Sequence, residues 1–328
     1  MYLSDMHTHS IASGHGTECT ITNMARAAAE KGLRLLGITD HGPGTLAAGT
    51  SSYFRSLTYS PKKHFGVELL YGIELNILDR SGTVDLDQEL LCKLDYAIAS
   101  MHAWNYRCGT RAENTEAFIN VMKNPCVKIL GHSDNTHYPV NYDALARAAR
   151  ETGTIFEINE ASLAPYGYRG DTRENCFEIL RCCRKYDLPL LLSSDSHGPE
   201  HIGDFTCAAE FVHQAMFPEQ LILNNQIPRL KVFLQTRECS SVSFPTDNRY
   251  CPPNKTGQFK HRNIHFPVSE LACFLFFPLL PYNFRKLAIF TCNISEIFSS
   301  VRKLAFGAVF NPAFRKAEIT TTFISQCI

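Results

Sequence analysis

The chain has 328 residues, 45% hydrophobic and 20% charged, with a formal net charge of +0. These values exclude a disordered polyelectrolyte and give no overall basic field to hold nucleic acid. No run reaches the roughly 18 apolar residues of a membrane span; the nearest, 271–280, contains Pro278 and is followed by Pro281. The neutral total hides a division. Residues 1–237 carry 22 Lys+Arg against 27 Asp+Glu, whereas residues 238–328 carry 10 against 5. The thirteen cysteines are scattered without a C-x-x-C, and Met1-Tyr2-Leu3-Ser4-Asp5 does not read as a signal peptide. A cytoplasmic protein with reduced thiols, packed as small hydrophobes, is expected.

Strands and helices alternate through the first 237 residues. Residues 3–6 read as a strand. His7-x-His9 at its end points both imidazoles one way, because strand side chains alternate. His15 follows, then a helix predicted over 22–31 with Thr22 as N-cap and Gly32 as stop. The apolar run 33–39 predicts a buried parallel strand ending at Asp40-His41, before a loop through Gly42-Pro43-Gly44. A third strand over 68–77 carries Glu74, with a turn at 79–82 and a return strand at 83–85. Strand 95–101 ends at His102, helix 112–123 follows, and strand 127–131 ends at His132. Helix 142–152 leads to strand 154–158, and helix 173–186 leads to strand 188–194, which ends at Asp195-x-His197. A helix from Asp204 to about 216 and a short one over 229–234 complete the pattern.

Seven principal strands separated by helices or long loops predict an α/β protein with a parallel sheet. Closing that sheet gives a (β/α) barrel of seven strands, whose active site belongs at the C-terminal strand ends. Most of the nine ligand-type residues (His7, His9, His15, His41, Glu74, His102, His132, Asp195 and His197) fall there. Nine groups exceed the needs of one ion, so a multinuclear metal site and hydrolytic chemistry are expected. Imidazole and carboxylate without thiolate suit zinc, manganese or iron. After Arg237 the text changes: 13 of the 22 phenylalanines lie in the last 91 residues. Ser240–Gly257 reads as a linker, and the pair His261 and His265 as solvated surface. Residues 238–328 are expected to be an irregular, poorly ordered extension or a reading-frame artefact.

The ordered set MHTHS (6–10), ITDHGPG (38–44), GIELNI (72–77), SMHAW (100–104), GHSDN (131–135), EIN (157–159) and SSDSHG (193–198) resembles the PHP (polymerase and histidinol phosphatase) family. The likeness is greatest to its YcdX-like phosphatase branch and covers residues 1 to about 237. It implies a distorted (β/α)7 barrel with three divalent metal ions, typically zinc, and phosphoesterase activity. Carried over by position, it implies that His7, His9, Glu74 and Asp195 hold one metal. Glu74 bridges to a second, completed by His102 and His132. His15, His41 and His197 hold the third. Asp40, Glu74, His102 and Asp195 form the candidate catalytic set, with Asp40 either orienting a histidine or capping its loop. Metals about 3.5–4 Å apart lower the pKa of a shared water toward about 7, and the resulting hydroxide attacks phosphorus in line. No phosphoenzyme is expected.

Two departures from the family pattern bear on substrate preference. Ser133-Asp134 follow His132 where Pro-Gly is common, and Glu160 follows Asn159 where a small polar residue is common. Arg107, Arg111 and Arg169 are candidate phosphate forks, and Trp104, Tyr106 and Tyr168 candidate stacking surfaces. The favoured function is a metal-dependent phosphatase acting on small phosphate monoesters. A 3′–5′ exonuclease or nucleotide phosphoesterase, a histidinol phosphatase, and an inactive metal-stabilised binding domain are the alternatives. No membrane association is expected, and the oligomeric state is left open.

Overall fold

The structure is a computed structural model that describes residues 2–235. The expected boundary at 237, the linker and the extension with His261 and His265 lie outside the described residues. Nine strands are described: β1 Ser4–Asp5, β2 Leu35–Ile38, β3 Lys63–His64, β4 Val67–Tyr71, β5 Ile73–Asn76, β6 Ala97–Ser100, β7 Val127–Leu130, β8 Ile155–Asn159 and β9 Leu190–Ser193. The helices are α1 Ile21–Glu30, α2 Ser51–Leu57, α3 Gln88–Leu91, α4 Arg111–Met122, α5 Tyr142–Thr152, α6 Glu160–Leu163, α7 Arg173–Tyr186, α8 Thr206–Gln214 and α9 Ile227–Gln235. No helix among the described residues is long and apolar enough to cross a membrane.

The strands pair in the orders β1-β2-β4-β3 and β5-β6-β7-β8-β9, and every pairing is parallel except β3 with β4. The expected third strand is broken at Gly72, so that β4 pairs with β2 while β5 pairs with β6. A Cβ at Gly72 would lie 2.8 Å from the Tyr96 carbonyl oxygen, so this crossing requires glycine. Beyond the break the line of pairing continues from β2 to β5 through a parallel bridge between His41 and Glu74. It returns from β9 to β1 through a bridge between Thr8 and Ser196. Seven parallel strands therefore form a ring, the distorted (β/α)7 barrel.

The seam between β9 and β1 closes by two devices. At the C-terminal rim the backbone closes it: Asp195 N–H donates to the His7 carbonyl at 2.9 Å and His9 N–H to the Ser196 carbonyl at 2.8 Å. Lower down, Asn224 stands between the strands. Its amide nitrogen donates to the carbonyls of Ser4 (2.9 Å) and Leu192 (2.8 Å), and its oxygen accepts from Leu192 N–H at 2.9 Å. Asp5, wholly buried, accepts from Ser194 N–H and Gly203 N–H beside it.

The core has two parts. Inside the ring, Met6, Leu35, Leu70, Ile98, Ile129, Ile155 and Leu191 meet Leu223 and the α9 side chains Leu230, Phe233 and Leu234. The last helix therefore plugs the ring's interior, which explains its apolar face. A larger cluster lies between the strands and the outer helices. Caps set several helix starts. Thr20, rather than Thr22, caps α1, and Thr110 with Glu113 forms a capping box on α4. At α8 the preceding residue, Phe205, supplies no cap. Glu160 does so from α6, accepting from Cys207 N–H (2.9 Å) and Ala208 N–H (2.7 Å). The charge of Glu160 is spent on a helix end. The expected return strand at 83–85 is one bridge, Ile77 to Val84. The hairpin strand β3 and the helices α2, α3 and α6, which are too short for a periodic signal, were not expected from sequence.

Replacing Asn224 by leucine leaves three buried backbone groups without partners, each costing about 1–3 kcal/mol. Urea denaturation should show Asn224→Leu less stable by about 3–5 kcal/mol. Asn225→Ala, which removes one exposed bond to Leu3 N–H, should cost under about 1 kcal/mol. Equal effects would mean that the amide of Asn224 does not hold the seam.

Candidate metal centre

The strand ends bring the predicted residues to one rim. His7 and His9 follow β1, Asp40 and His41 follow β2, His102 follows β6, His132 follows β7, and Asp195 and His197 follow β9. Glu74 lies within β5, level with His41 through their bridge. Three groups have ligand atoms all within 4.8 Å of one another: His9, His41 and His197; His7, His9 and Asp195; His41, Glu74 and His102. Glu74 is the hub. Its Oε1 lies 2.9 Å from His132 Nε2, 3.3 Å from His102 Nε2 and 3.4 Å from His7 Nε2, and its Oε2 lies 2.6 Å from His41 Nδ1. His15 is exposed at the edge, its ring 4.9 Å from that of His41 and 5.1 Å from that of His197.

The outward nitrogens of four rings are tied down, and the ties fix the tautomers. His7 Nδ1 meets the Glu157 carboxylate at 2.9 Å, and His102 Nδ1 meets Asn76 Oδ1 at 2.7 Å. His197 Nδ1 meets the Asp195 carbonyl at 3.1 Å. These partners only accept, so Nδ1 carries the hydrogen and, in the neutral ring, Nε2 keeps its lone pair. His9 reaches the same state through a relay. Ser13 Oγ donates to Asp40 Oδ1 at 2.7 Å and therefore accepts from His9 Nδ1 at 2.8 Å. Asp40 also accepts from Ser10 N–H, Ser10 Oγ and Tyr53 OH. Its carboxylate is thus spent behind His9, both orienting that ring through Ser13 and fastening the loop 10–13. On the inner side, the buried Nε2 atoms of His7, His9, His102 and His197 have no hydrogen-bond partner, and His41 Nδ1 and Glu74 Oε2 face each other. Lone pairs converging without donors are what a cation requires.

The electrostatics agree. Burial alone would raise the Glu74 carboxyl, but the imidazoles of His102, His41 and His7 outweigh it and hold the group well below the usual range. Asp195 is likewise held well below its ordinary value, with His7 and Arg169 overcoming burial. Burial would lower the His7 imidazole, yet the carboxylates of Glu157, Asp195 and Glu74 hold it well above its usual range. The field at that point favours positive charge. His132 is pushed down to about 4, by burial and then by Arg169.

Two candidate ligands adopt left-handed backbone: His132 at φ 27° and Asp195 at φ 53°. Non-glycine residues hold such angles at a cost of order 1–3 kcal/mol, and the turns swing both side chains out of strand register toward the rim. Asp195 is fixed on its other side by Arg169, whose Nη2 donates to Oδ2 at 2.6 Å, and by Asn159 Nδ2 at 3.1 Å. Of the three candidate arginines, Arg169 is brought to the cluster and buried there, whereas Arg111 bonds the Val140 carbonyl. Trp104 and Tyr168 stand exposed on loops beyond β6 and β8, and Tyr106 is buried. Ser13, Asn76 and Glu157 were not singled out as orienting groups. Their signal was position, since Asn76 ends β5 and Glu157 lies two residues before the end of β8, but their residue types are unremarkable.

The PHP domain profile matches residues 5–163. A probable phosphatase of Clostridium novyi (strain NT) is 38% identical over 236 residues, covering 72% of this chain and 96% of that protein. A probable phosphatase of Thermoanaerobacter sp. (strain X514) is 39% identical over 235 residues, covering 71% and 95%. Among solved structures, a histidinol phosphate phosphatase from Lactococcus lactis subsp. lactis, complexed with zinc, L-histidinol and phosphate, is 17% identical with a TM-score of 0.47. It covers 66% of this chain and 95% of its own. With identity at this level across nearly the full length of such relatives, the chain belongs to the PHP domain family.

Proposed function

We propose that this protein is a metal-dependent phosphatase acting on small phosphate monoesters at the rim built around Glu74. As a PHP member among relatives named probable phosphatases, it is a hydrolase of phosphoric-ester bonds. The observation that carries the metal reading is the set of four buried Nε2 atoms, of His7, His9, His102 and His197, that face inward without hydrogen-bond partners, each backed by a tie on the ring's other side. We assign His7, His9, Glu74 and Asp195 to one ion. Glu74, His102 and His132 take a second, and His15, His41 and His197 a third, with zinc favoured over manganese or iron. Bound ions supply Lewis acidity and activation of water for in-line attack at phosphorus.

The chain's own residues do the rest. Glu157, Ser13 and Asn76 hold His7, His9 and His102 in their ligating tautomers. Arg169 and Asn159 hold the Asp195 carboxylate in place by hydrogen bonds to Oδ2. Asp40 acts on His9 through Ser13, so it is a positioning residue rather than one touching substrate. Glu160, turned to the α8 terminus, leaves the rim free of an added negative charge that would repel an anionic substrate. A cytoplasmic setting and a small phosphorylated substrate belong to the same reading.

Purified protein should contain divalent metal and hydrolyse p-nitrophenyl phosphate. His102→Ala should lower metal content and cut turnover by at least about 100-fold. Turnover of oligonucleotides alone would replace the monoesterase reading with a nuclease, and a metal-free, inactive wild type would remove it. Ser13→Ala should weaken metal affinity about 10–100-fold in chelator competition while leaving substrate selectivity unchanged. Unaltered affinity would disconnect Asp40 and Ser13 from the centre. Chelation should lower the melting temperature, because bound metal adds to the stability of the folded state.

A further inference from the structure

Two described cysteines far from the rim bring their sulfurs together. Cys92 and Cys126 lie with Sγ atoms 3.0 Å apart. That is inside the roughly 3.5–4.0 Å at which even carbon atoms rest, and about 1 Å longer than a disulfide bond. Cys92 ends α3 and Cys126 immediately precedes β7. They stand where the chain enters β6 and β7, on the side of the strands opposite the candidate ligands.

The surroundings hold the pair in register. Gln88 Nε2 donates to Cys92 Sγ at 3.2 Å and to Cys126 Sγ at 3.6 Å. Gln88 Oε1 accepts from Asn124 Nδ2 at 2.7 Å, and Asn124 Oδ1 accepts from Cys126 N–H at 3.1 Å. The α3 end and the β7 entry are thus joined by side-chain amides before any covalent bond forms. Cys92 is half-buried and Cys126 is 2% exposed, so an external reagent meets Cys92 first.

We propose that Cys92 and Cys126 are a modification site: a dithiol that closes reversibly to an intramolecular disulfide by exchange with a low-molecular-weight disulfide such as oxidised glutathione. The Cys92 thiolate attacks one sulfur of the reagent, forming a mixed disulfide and expelling one thiolate, which takes up the proton that Cys92 lost. The Cys126 thiolate then attacks Cys92 Sγ and expels the second, which takes up the proton from Cys126. The two cysteines lose two electrons and two protons, and the reagent becomes two thiols. The link closes the segment that carries β6, His102 and α4, restricting the unfolded chain while leaving the rim untouched.

The test uses the full-length, metal-loaded protein in glutathione mixtures, followed by alkylation and peptide mapping. The expected result is a Cys92–Cys126 linkage that reverses with excess reduced glutathione. The melting temperature should rise by roughly 5–10 °C, and p-nitrophenyl phosphate turnover should stay within about two-fold. Cys126→Ser should retain glutathione on Cys92, and Cys92→Ser should lose the rise in melting temperature. The proposal is overturned if both thiols of the wild type stay alkylatable overnight in oxidised glutathione. It is equally overturned if linkages form to other cysteines instead, or if the linked protein melts no higher than the reduced one.

Discussion

Glu74 is wholly buried, and an ionised carboxylate removed from water costs several kcal/mol unless positive charge or donors surround it. The rim is organised around that requirement. Imidazoles from four strand ends approach the one carboxylate, and the loops that present them are held by their own contacts rather than by solvent. Asp195 poses the same problem across the seam and is met by Arg169, Asn159 and the His7 and His9 rings. With two carboxylates at the centre and Glu157 behind His7, the protein concentrates negative charge where the described residues supply one fixed cation, Arg169. The metal ions proposed for the rim would complete the balance.

Holding ligands in this way has a backbone cost. His132 and Asp195 occupy left-handed angles that a glycine would accept freely, and both keep a side chain the site uses. The surrounding structure overrules the local preference: His132 N–H donates to Glu157 and Asp195 N–H donates to His7. The same two contacts serve orientation, since Glu157 also holds the His7 ring. One carboxylate therefore links the conformation of β7's end to the tautomer of a histidine at the chain's beginning.

Much of this was legible in the sequence. Ligand-type residues recurred at the ends of apolar runs, and strand periodicity placed His7 with His9 on a common face. The parallel sheet followed from the alternation of runs and helices. What escaped were features decided by tertiary contact. The break at Gly72 depends on Tyr96 lying alongside it, and the start of α8 depends on a glutamate 46 residues earlier. Ser13 acts on His9 because Asp40 reverses the direction of its hydroxyl, which no spacing rule reveals. Nothing in the local sequence marks Asn224, since the gap it fills exists only once β1 and β9 stand side by side. The contact between Cys92 and Cys126 has the same character, being made by two loops 34 positions apart.

The seam also orders events during synthesis. His7 and His9 leave the ribosome early, whereas Asp195, His197 and Asn224 emerge near the end of the ring-forming sequence. Until then β1 has no partner on its outer edge, and the early histidines have no carboxylate from β9. Contacts of such long sequence separation form late and slowly. A product truncated just before Asn224 keeps all nine ligand-type residues but lacks the amide that joins β1 to β9, so the proposed cation site depends on a residue that ligates nothing. Ring closure thereby acts as a check on completeness, because a chain without its seam is less stable and spends more time in forms that proteases attack.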